Sequence, residues 1–116
     1  MTPMLTFGAA TDLDGLKWKK RVIVLLSASP TDARLLTQKE KLASQRSPMA
    51  ERDVVVLEET SAQGPLHRRF SVRDDFSALL IGKDGGEKWR TSDIFLPQIV
   101  FDQIDQMPMR AREMKK

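Results

Sequence analysis

Short apolar runs, separated by polar segments that contain glycine and proline, are the main pattern along this chain. Arg21–Ser27, Asp53–Glu59 and Phe76–Ile81 each carry several β-branched, leucine or other apolar residues in succession. A strand that is apolar at successive positions has both faces covered, as the central strands of parallel α/β sheets do. The pattern therefore predicts three buried strands, preceded by an extended lead-in over residues 1–15.

Helix signals lie between these strands. Ser29–Asp32 combines a capping serine, a proline at the first helical position and an acidic residue three positions after the cap. This combination predicts a helix that the serine caps and that runs to about Arg46. Pro48 is expected to stop or kink it, which leaves one further turn, Met49–Arg52. Leu66–Phe70 is predicted to form a second short helix.

A hairpin and a last helix complete the pattern. The turn Gly82–Gly86 contains an Asp-Gly pair, which favours positive φ and returns the chain antiparallel into Glu87–Arg90. Ser92 or Asp93 is expected to cap a helix from about Leu96 to Met107. The apolar stripe of this helix is predicted to consist of Ile99, Val100, Gln103, Ile104 and Met107.

The predicted order is β-α-β-α-β-β-α. The two β-α units are expected to pair in parallel through right-handed crossovers, and the hairpin adds antiparallel strands. The result is an α/β fold with a four-stranded mixed sheet and helices on both faces, which is the thioredoxin-like arrangement. Residues 16–116 are predicted to form this single domain, which ends in a basic tail.

The amino-acid composition excludes several kinds of chemistry. The 116-residue chain contains no cysteine, so thiol-disulfide oxidoreductase and peroxidase activities and cysteine-based zinc sites are excluded. Its one histidine, His67, argues against a histidine-rich metal site. No cofactor is predicted. The longest apolar run is Val22–Leu26, far shorter than the ~20 residues of a membrane-spanning helix.

Charge is concentrated near the two ends of the predicted domain. Met109–Lys116 holds four basic residues and one acidic residue. The resulting charge of this segment, +3, equals the formal net charge of the whole chain. A second basic cluster, Lys17–Arg21, precedes the first strand. A basic tail on a neutral domain is weaker evidence for nucleic acid than a basic face, so a nucleic-acid partner is not favoured.

The first sixteen residues contain no basic residue and no continuous apolar segment, so no signal peptide is visible. The expected location is therefore cytoplasmic, or periplasmic or exported if a leader has been removed.

The candidate ligand site is a tip formed by Ser27–Asp32 and Asp74–Ser77. In a thioredoxin-like fold these loops are expected to lie together at the carboxyl ends of parallel strands, where α/β sheets bind ligands. The alternative is a self-capped helix start that binds nothing, because Asp32 in the first turn already satisfies the free N–H groups. The residues predicted for this site are Ser27, Ser29, Thr31, Asp32, Asp75, Phe76 and Ser77.

Other constellations carry weaker signals. Ser29, His67 and an aspartate could form a hydrolase triad, but no Gly-x-Ser-x-Gly elbow is present, and His67 is expected to be a solvated surface residue. Glu58 and Glu59 are adjacent in a strand, so their side chains are expected on opposite faces. The Gly82–Gly86 turn lacks the ending of a phosphate loop, and hairpin chemistry explains its glycines.

A candidate interaction surface is expected at the hairpin, at the tail and at Trp18. Trp18 and Trp89 are expected to be anchors at the edge of the core, although Trp18, amid basic residues, could instead stack on a base or lie at a membrane interface. The tail could dock on a partner or simply extend the last helix. The residues predicted for this surface are Trp18, Lys83, Asp84, Arg110 and Glu113.

Three stretches resemble a bacterial family known as Domain of Unknown Function 4174 (DUF4174), of the thioredoxin-like superfamily. They are Leu16–Arg21, Leu80–Gly86, and Met107–Arg110 with Glu113-Met114, and the resemblance spans roughly residues 13–114. It implies a thioredoxin-like fold and, for many members, export; related domains occur in animal extracellular proteins of the sushi-repeat-containing type. It implies no catalytic residues.

Two departures separate the chain from redox-active thioredoxins. Ser27–Asp32 stands where their cysteines lie, and Asp75–Ser77 stands where they place a cis-proline. The first hypothesis is therefore a non-redox binding or protein-interaction module, with a protein partner favoured. The alternatives are a small-ligand-binding protein or enzyme that uses the tip, and nucleic-acid or anionic-membrane binding through the basic segments.

Overall fold

A computed structural model describes residues 7–8 and 13–114 of the chain. The strands are β1 (Phe7–Gly8), β2 (Arg21–Ser27), β3 (Val54–Glu59), β4 (Phe76–Ile81) and β5 (Glu87–Thr91). The helices are α1 (Ala33–Ala43), α2 (Arg46–Glu51), α3 (Pro65–Arg69), α4 (Pro97–Asp105) and α5 (Pro108–Met114), with a 3₁₀ turn at Asp14–Leu16. Within the described residues, no helix has the length and apolar character that crossing a bilayer requires.

The strands form one mixed sheet in the order β1-β3-β2-β4-β5. β2 pairs in parallel with β3, and β4 and β5 are antiparallel additions on the other side of β2. The predicted four-stranded sheet is therefore present. The two-residue β1 extends it along the outer edge of β3, within a segment predicted only as an extended lead-in. Most of that lead-in, and the last two residues of the basic tail, lie outside the described residues.

Both faces of the central strands are covered, which explains why these strands carry apolar residues at successive positions. Alternate side chains of a strand point to opposite faces. Ile23 and Leu25 of β2 pack in one cluster with residues of α1, α2 and α4, whereas Val22, Val24 and Leu26 pack in a second cluster with α3 and Leu13.

The strand register divides the domain into two ends. Ser27, Glu59, Phe76 and Thr91 lie at or near one end of their strands, which we call the tip end. Arg21, Val54, Ile81 and Glu87 lie at the opposite end, which we call the clamp end. Residues that are distant in the chain meet at each end, and the polar chemistry of the domain is concentrated there.

The first helix begins later than predicted. Asp32, not Ser29, is its N-cap: the Asp32 carboxylate accepts hydrogen bonds from the backbone N–H of Arg34 (2.8 Å) and Leu35 (3.3 Å). The hydroxyl of Ser29 instead accepts the N–H of Thr31 in a local turn. The helix also ends earlier, at Ala43, and Pro48 lies in the first turn of the separate α2, where a proline is tolerated.

The last predicted helix is α4, which no side chain caps, and the segment predicted as a tail forms the separate helix α5. α4 begins at Pro97, and Leu96 precedes it without a side-chain cap; the N–H of Asp93 instead bonds the Thr91 hydroxyl. The predicted stripe is wrong at Ile99, which is 48% exposed. The buried positions of α4 are Pro97, Val100, Phe101 and Ile104.

Candidate functional site

The two loops of the predicted tip lie together. The backbone N–H of Ala28 donates to the carbonyl of Asp75 at 3.0 Å, and Ser27 pairs with Phe76 across β2 and β4. The expected placement at the carboxyl ends of parallel strands holds for β2 but not for the second loop. Because β4 is antiparallel to β2, this loop comes before a strand.

The polar groups between β2 and α1 bond to one another. The Ser27 hydroxyl donates to the carbonyl of Ser29 (2.6 Å) and accepts its N–H (3.1 Å). Ser29 and Thr31 hydroxyls lie 3.0 Å apart, and Asp32 occupies the N–H groups of the helix start. Phe76 is fully buried, with the Arg34 guanidinium 5.7 Å from its ring centroid. The first turn of α1 is therefore self-capped.

A polar cleft of about 370 Å³ opens beside this tip. Its lining brings together arginine side chains, hydroxyls and one carboxylate: Ser71, Val72, Arg73, Asp74, Ser77, Arg90, Thr91 and Ser92. Arg90 is held by two hydrogen bonds to Glu87, at 2.7 and 2.8 Å, which raise the pKa of Arg90. Guanidinium and hydroxyl groups in a shared cleft favour an anionic, oxygen-rich ligand. Asp75, from the predicted site, is exposed but does not line this cleft.

The loop after β5 presents apolar side chains next to the cleft. The Gln38 side chain, buried in α1, bonds both backbone groups of Phe95, at 2.8 and 3.0 Å. Phe95 packs edge-on against Trp89, with ring centroids 5.1 Å apart. Because Phe95 is held inward, its neighbours Ile94 and Leu96 point outward, 37% and 61% exposed.

Ile99 follows one helical turn later, with its N–H bonded to the carbonyl of Leu96. We call Ile94, Leu96 and Ile99 the apolar patch. Sequence reasoning missed this patch because it assigned Ile99 to the core. The alternation of Ile94, Phe95 and Leu96 is a weak signal on its own, since it does not say which residue points inward.

A buried Glu59–His67 pair lies inside the tip end. His67 is 3% exposed, so its predicted solvated position is wrong. Its Nδ1 lies 2.7 Å from Glu59 Oε1, and the same carboxylate accepts the N–H groups of Leu66 and His67. Burial alone would raise the pKa of Glu59, but the hydrogen bonds from His67 and from the two backbone groups lower it.

The surroundings of this pair also test two predictions from the sequence, the opposite faces of Glu58 and Glu59 and the triad of Ser29 with His67. Glu58 bonds Lys39, on a different face from Glu59, so the prediction of opposite faces is confirmed. Within the described residues His67 Nε2 has no hydrogen-bond partner, and Ser29 bonds Thr31 and not His67. No group of three or more His, Cys, Asp or Glu suited to a metal ion occurs in the described part of the chain.

Several residues predicted to be exposed are buried in a network at the clamp end. Lys83 is 9% and Arg110 5% exposed, so the prediction that they form an exposed interaction surface is corrected. Lys83 Nζ lies 2.8 Å from Asp53 and 2.6 Å from Glu113. Glu113 also accepts two hydrogen bonds from Arg21, each at 3.2 Å.

Arg21 and Lys83 thereby tie α5 to the sheet. We call Arg21, Asp53, Lys83, Arg110 and Glu113 the clamp network. Burial would lower the pKa of Lys83, but its bonds to Asp53 and Glu113 raise it. Burial would raise the pKa of Glu113, but its bonds from Lys83 and Arg21 lower it. The three stretches that carry the family resemblance meet at this network, since it draws on residues from each.

The two tryptophans have different environments. Trp89 packs against the core, as predicted, whereas Trp18 is 62% exposed and is not an anchor of the core edge. Asp84 is exposed and bonds Lys88 and the N–H of Gly86. Of the predicted interaction surface, only Trp18 and Asp84 therefore remain exposed, and Glu113 is half-buried.

The chain belongs to the family described as Domain of unknown function (DUF4174), whose sequence profile matches residues 12–113. No curated protein sequence matches it. Chloroplastic thioredoxin z is similar in structure, with a TM-score of 0.69, 16% identity, and coverage of 91% of this chain and 96% of the other. Thioredoxin of Fasciola hepatica gives a TM-score of 0.64, 18% identity, and coverage of 89% and 98%. These likenesses show the fold, and the predicted thioredoxin-like fold is confirmed.

Proposed function

We propose that this member of the DUF4174 family is a non-redox domain that binds a protein partner at its tip end. The observation that carries the proposal is the apolar patch of Ile94, Leu96 and Ile99, which is exposed beside a polar cleft that holds two arginines and one aspartate. Single exposed apolar side chains are ordinary on protein surfaces, but clusters with a polar rim are typical of interaction sites.

The patch is held in a fixed geometry. The Gln38 side chain bonds both backbone groups of Phe95 inside the protein. Pro97 and Val100, at the start of α4, are buried and fix this end of the helix. A surface whose backbone is already ordered loses little conformational entropy on binding. This supports a patch built to contact a partner and argues against a loop whose apolar residues are exposed by chance.

The cleft indicates the chemistry of the partner segment. Arg73 and Arg90 lie on the cleft wall with four hydroxyl residues, and Thr91 and Ser92 continue directly into the loop that carries the patch. Apolar side chains next to guanidinium groups favour a segment with apolar residues followed by an acidic group. Without cysteine, this binding involves no disulfide on the side of this domain.

The structural likeness agrees with such a role. The structure of chloroplastic thioredoxin z is described in terms of target recognition, so a domain of this shape takes part in target recognition in that protein. Here the polar groups of Ser27–Asp32 bond to one another, and the surface available to a partner lies one loop further, at residues 90–99.

The test is partner recovery with a matched pair of variants. Wild type, Leu96→Asp and Met114→Asp are used as baits under native conditions in extracts of the source organism, and bound proteins are quantified by mass spectrometry. Met114 is 52% exposed at the clamp end, so its variant carries the same chemical change at the opposite end.

The proposal expects a protein that wild type and Met114→Asp retain equally and that Leu96→Asp loses. The recovered protein is then purified, and its affinity is expected to fall at least about tenfold for Leu96→Asp, as for loss of an interface anchor. Equal binding by all three baits would refute the tip end as the site.

A second candidate function is the binding of a small anionic ligand in the cleft, which the cleft's volume and its two arginines favour. A thermal-shift screen of small anionic metabolites tests it, because a ligand of the folded state raises the melting temperature. The shift is expected to disappear in Arg73→Ala and to persist in Ser29→Ala combined with Asp75→Ala, since neither of those residues lines the cleft. A shift lost in that double variant and kept in Arg73→Ala would place the ligand at the α1 tip instead.

A further inference from the structure

The clamp end exposes an aromatic residue that neither the core nor the proposed partner site uses. Trp18 is 62% exposed, the largest exposed fraction among the large hydrophobic side chains of the described residues. Its φ is +70°, in the left-handed region, which a bulky side chain rarely adopts and which is strained unless its surroundings enforce it.

The surroundings of Trp18 do enforce this conformation. The Trp18 N–H bonds the carbonyl of Lys83 in the hairpin, and the N–H groups of Lys19 and Lys20 both bond the carbonyl of Leu16. These contacts hold a tight turn with the indole directed away from the protein. The Lys83 side chain is fixed in turn by Asp53 and Glu113, so the clamp network supports the turn from below.

The charges around this turn are not balanced. Within the described residues, the nearby carboxylates each have a cationic partner: Asp14 pairs with Arg69, Asp84 with Lys88, and Asp53 and Glu113 with Lys83. No ion pair occurs for Lys17, Lys19 or Arg112 among the same residues. Lys17 Nζ lies 5.5 Å from the Trp18 ring centroid. The surface is thus an indole flanked by unpaired cations.

We propose that the Trp18 turn docks the domain on an anionic phospholipid bilayer. Indole rings favour the headgroup level of a bilayer, and adjacent lysines gain from the negative surface potential. A cleft of about 120 Å³ beside Trp18 is lined in part by Lys17, Lys20 and Arg69 and also by Asp14 and Asp84. Because Lys20 pairs with Asp53 and Arg69 with Asp14, Lys17 is the cation that this cleft offers to a headgroup phosphate. α5 adds exposed Arg112 and Met114 at this end.

Single-stranded nucleic acid fits this surface less well. Its binding sites combine a basic groove with aromatic rings for successive bases. Here one ring stands on a projecting turn, and the other tryptophan packs against the core. The docking surface is at the opposite end from the apolar patch, so this proposal does not depend on the proposed function.

The experiment uses Trp89→Phe, which leaves Trp18 as the sole tryptophan because the chain contains two. Adding vesicles of phosphatidylcholine and phosphatidylglycerol is expected to shift the Trp18 emission to shorter wavelength, and brominated lipid is expected to quench it. Wild type is expected to sediment with these vesicles, less so at high salt, and not with phosphatidylcholine alone.

Variants separate docking from general charge attraction. Lys17→Gln and Lys19→Gln are each expected to weaken partition about fivefold, and Trp18→Ala is expected to weaken it at every salt concentration. Leu36→Gln, at an exposed leucine of α1, leaves the net charge unchanged, is the control and is expected to partition like wild type. Absence of partition, partition unchanged in Trp18→Ala, or binding of an oligonucleotide and not of vesicles would overturn the proposal.

Discussion

At the tip end, Ser27, Ser29 and Asp32 bond to groups two or three residues away. At the clamp end, Arg21 bonds Glu113, 92 positions along the chain, and Lys83 bonds Asp53, 30 positions away. The tip motif is local and can form wherever this short segment occurs. The clamp network exists only when the sheet, the hairpin and α5 are all in place.

The two ends therefore differ in what their polar groups do. At the tip end, surface is available to a partner, whereas at the clamp end the polar groups hold distant segments of the fold together. Near the tip, the local bonds of Ser27, Ser29 and Asp32 do not involve the apolar patch. At the clamp end, the buried cations Arg21, Lys83 and Arg110 are held in internal ion pairs. Two of the basic residues that suggested nucleic acid, Arg21 and Arg110, are therefore structural, whereas the lysines of the Trp18 turn are exposed or partly exposed.

The largest expected effect is the removal of Arg21, which would break the clamp. Arg21→Met keeps much of the volume but removes the guanidinium that donates to Glu113 and to the carbonyl of Arg52, so that Glu113 keeps only its contacts with Lys83 and Arg110. Loss of one partner from a buried pair costs about 3 kcal/mol of unfolding free energy. Urea denaturation measures this loss, and exposed Lys19→Met, in the adjoining turn, is expected to change it by less than about 0.5 kcal/mol.

If Arg21→Met does not fold, Glu113→Gln takes its place in the experiment. This variant weakens the same contacts and keeps the shape of the side chain. If both variants unfold at the urea concentration of wild type, the clamp network contributes nothing and the comparison between the ends fails.

An intermediate effect is expected at the buried pair of the tip end. Glu59→Gln weakens the hydrogen bonds from His67 and from two backbone groups, at a cost of about 2 kcal/mol for bonds to a charged acceptor. Glu58→Gln is the matched control, because Glu58 pairs with Lys39 nearer the surface and is expected to cost less than about 1 kcal/mol.

The Glu59 contribution also has a defined pH dependence. Its pKa is lowered in the folded state from the ordinary value of 4.5. The stabilisation is therefore complete above about pH 4.5 and is lost as pH falls through the lower folded-state pKa. The difference between wild type and Glu59→Gln is expected to shrink in acid; a constant difference would mean that the charge of Glu59 is not the cause.

The smallest effect is expected at the local motif. Asp32→Ala removes the side chain that caps α1, which costs about 1 kcal/mol. Ser29→Ala removes only an exposed bond to Thr31 and is expected to stay within about 0.5 kcal/mol of wild type. Thermal unfolding of the two variants side by side measures the ranking, and an equal or larger loss for Ser29→Ala would restore Ser29 as the cap.

Much of the fold was predictable because its signals are short-range. The strands β2, β3 and β4 were placed almost to the residue, since their continuous apolar runs need cover on both faces. The helix start was correct in kind but wrong in its cap: Ser29 and Asp32 are both good capping residues, and local preference alone does not choose between them.

The candidate site was less predictable for a physical reason. Whether Leu96 points outward depends on Gln38 holding Phe95 from another helix, 57 positions away. His67 looked like a surface residue because a lone histidine usually is one, yet Glu59 provides a buried partner. Such partners are invisible to a pattern of neighbours along the chain.

The sequence by itself determined that this domain performs no thiol chemistry, since no folding can supply an absent sulfur nucleophile. It also determined the order of strands and helices, because periodicity is a property of neighbouring residues. Only the tertiary structure decided that Lys83 and Arg110 are buried while Trp18 and Leu96 are exposed. Burial and ion pairing depend on which distant segments meet, and a charge is hidden only where a partner from elsewhere in the chain offsets its loss of water.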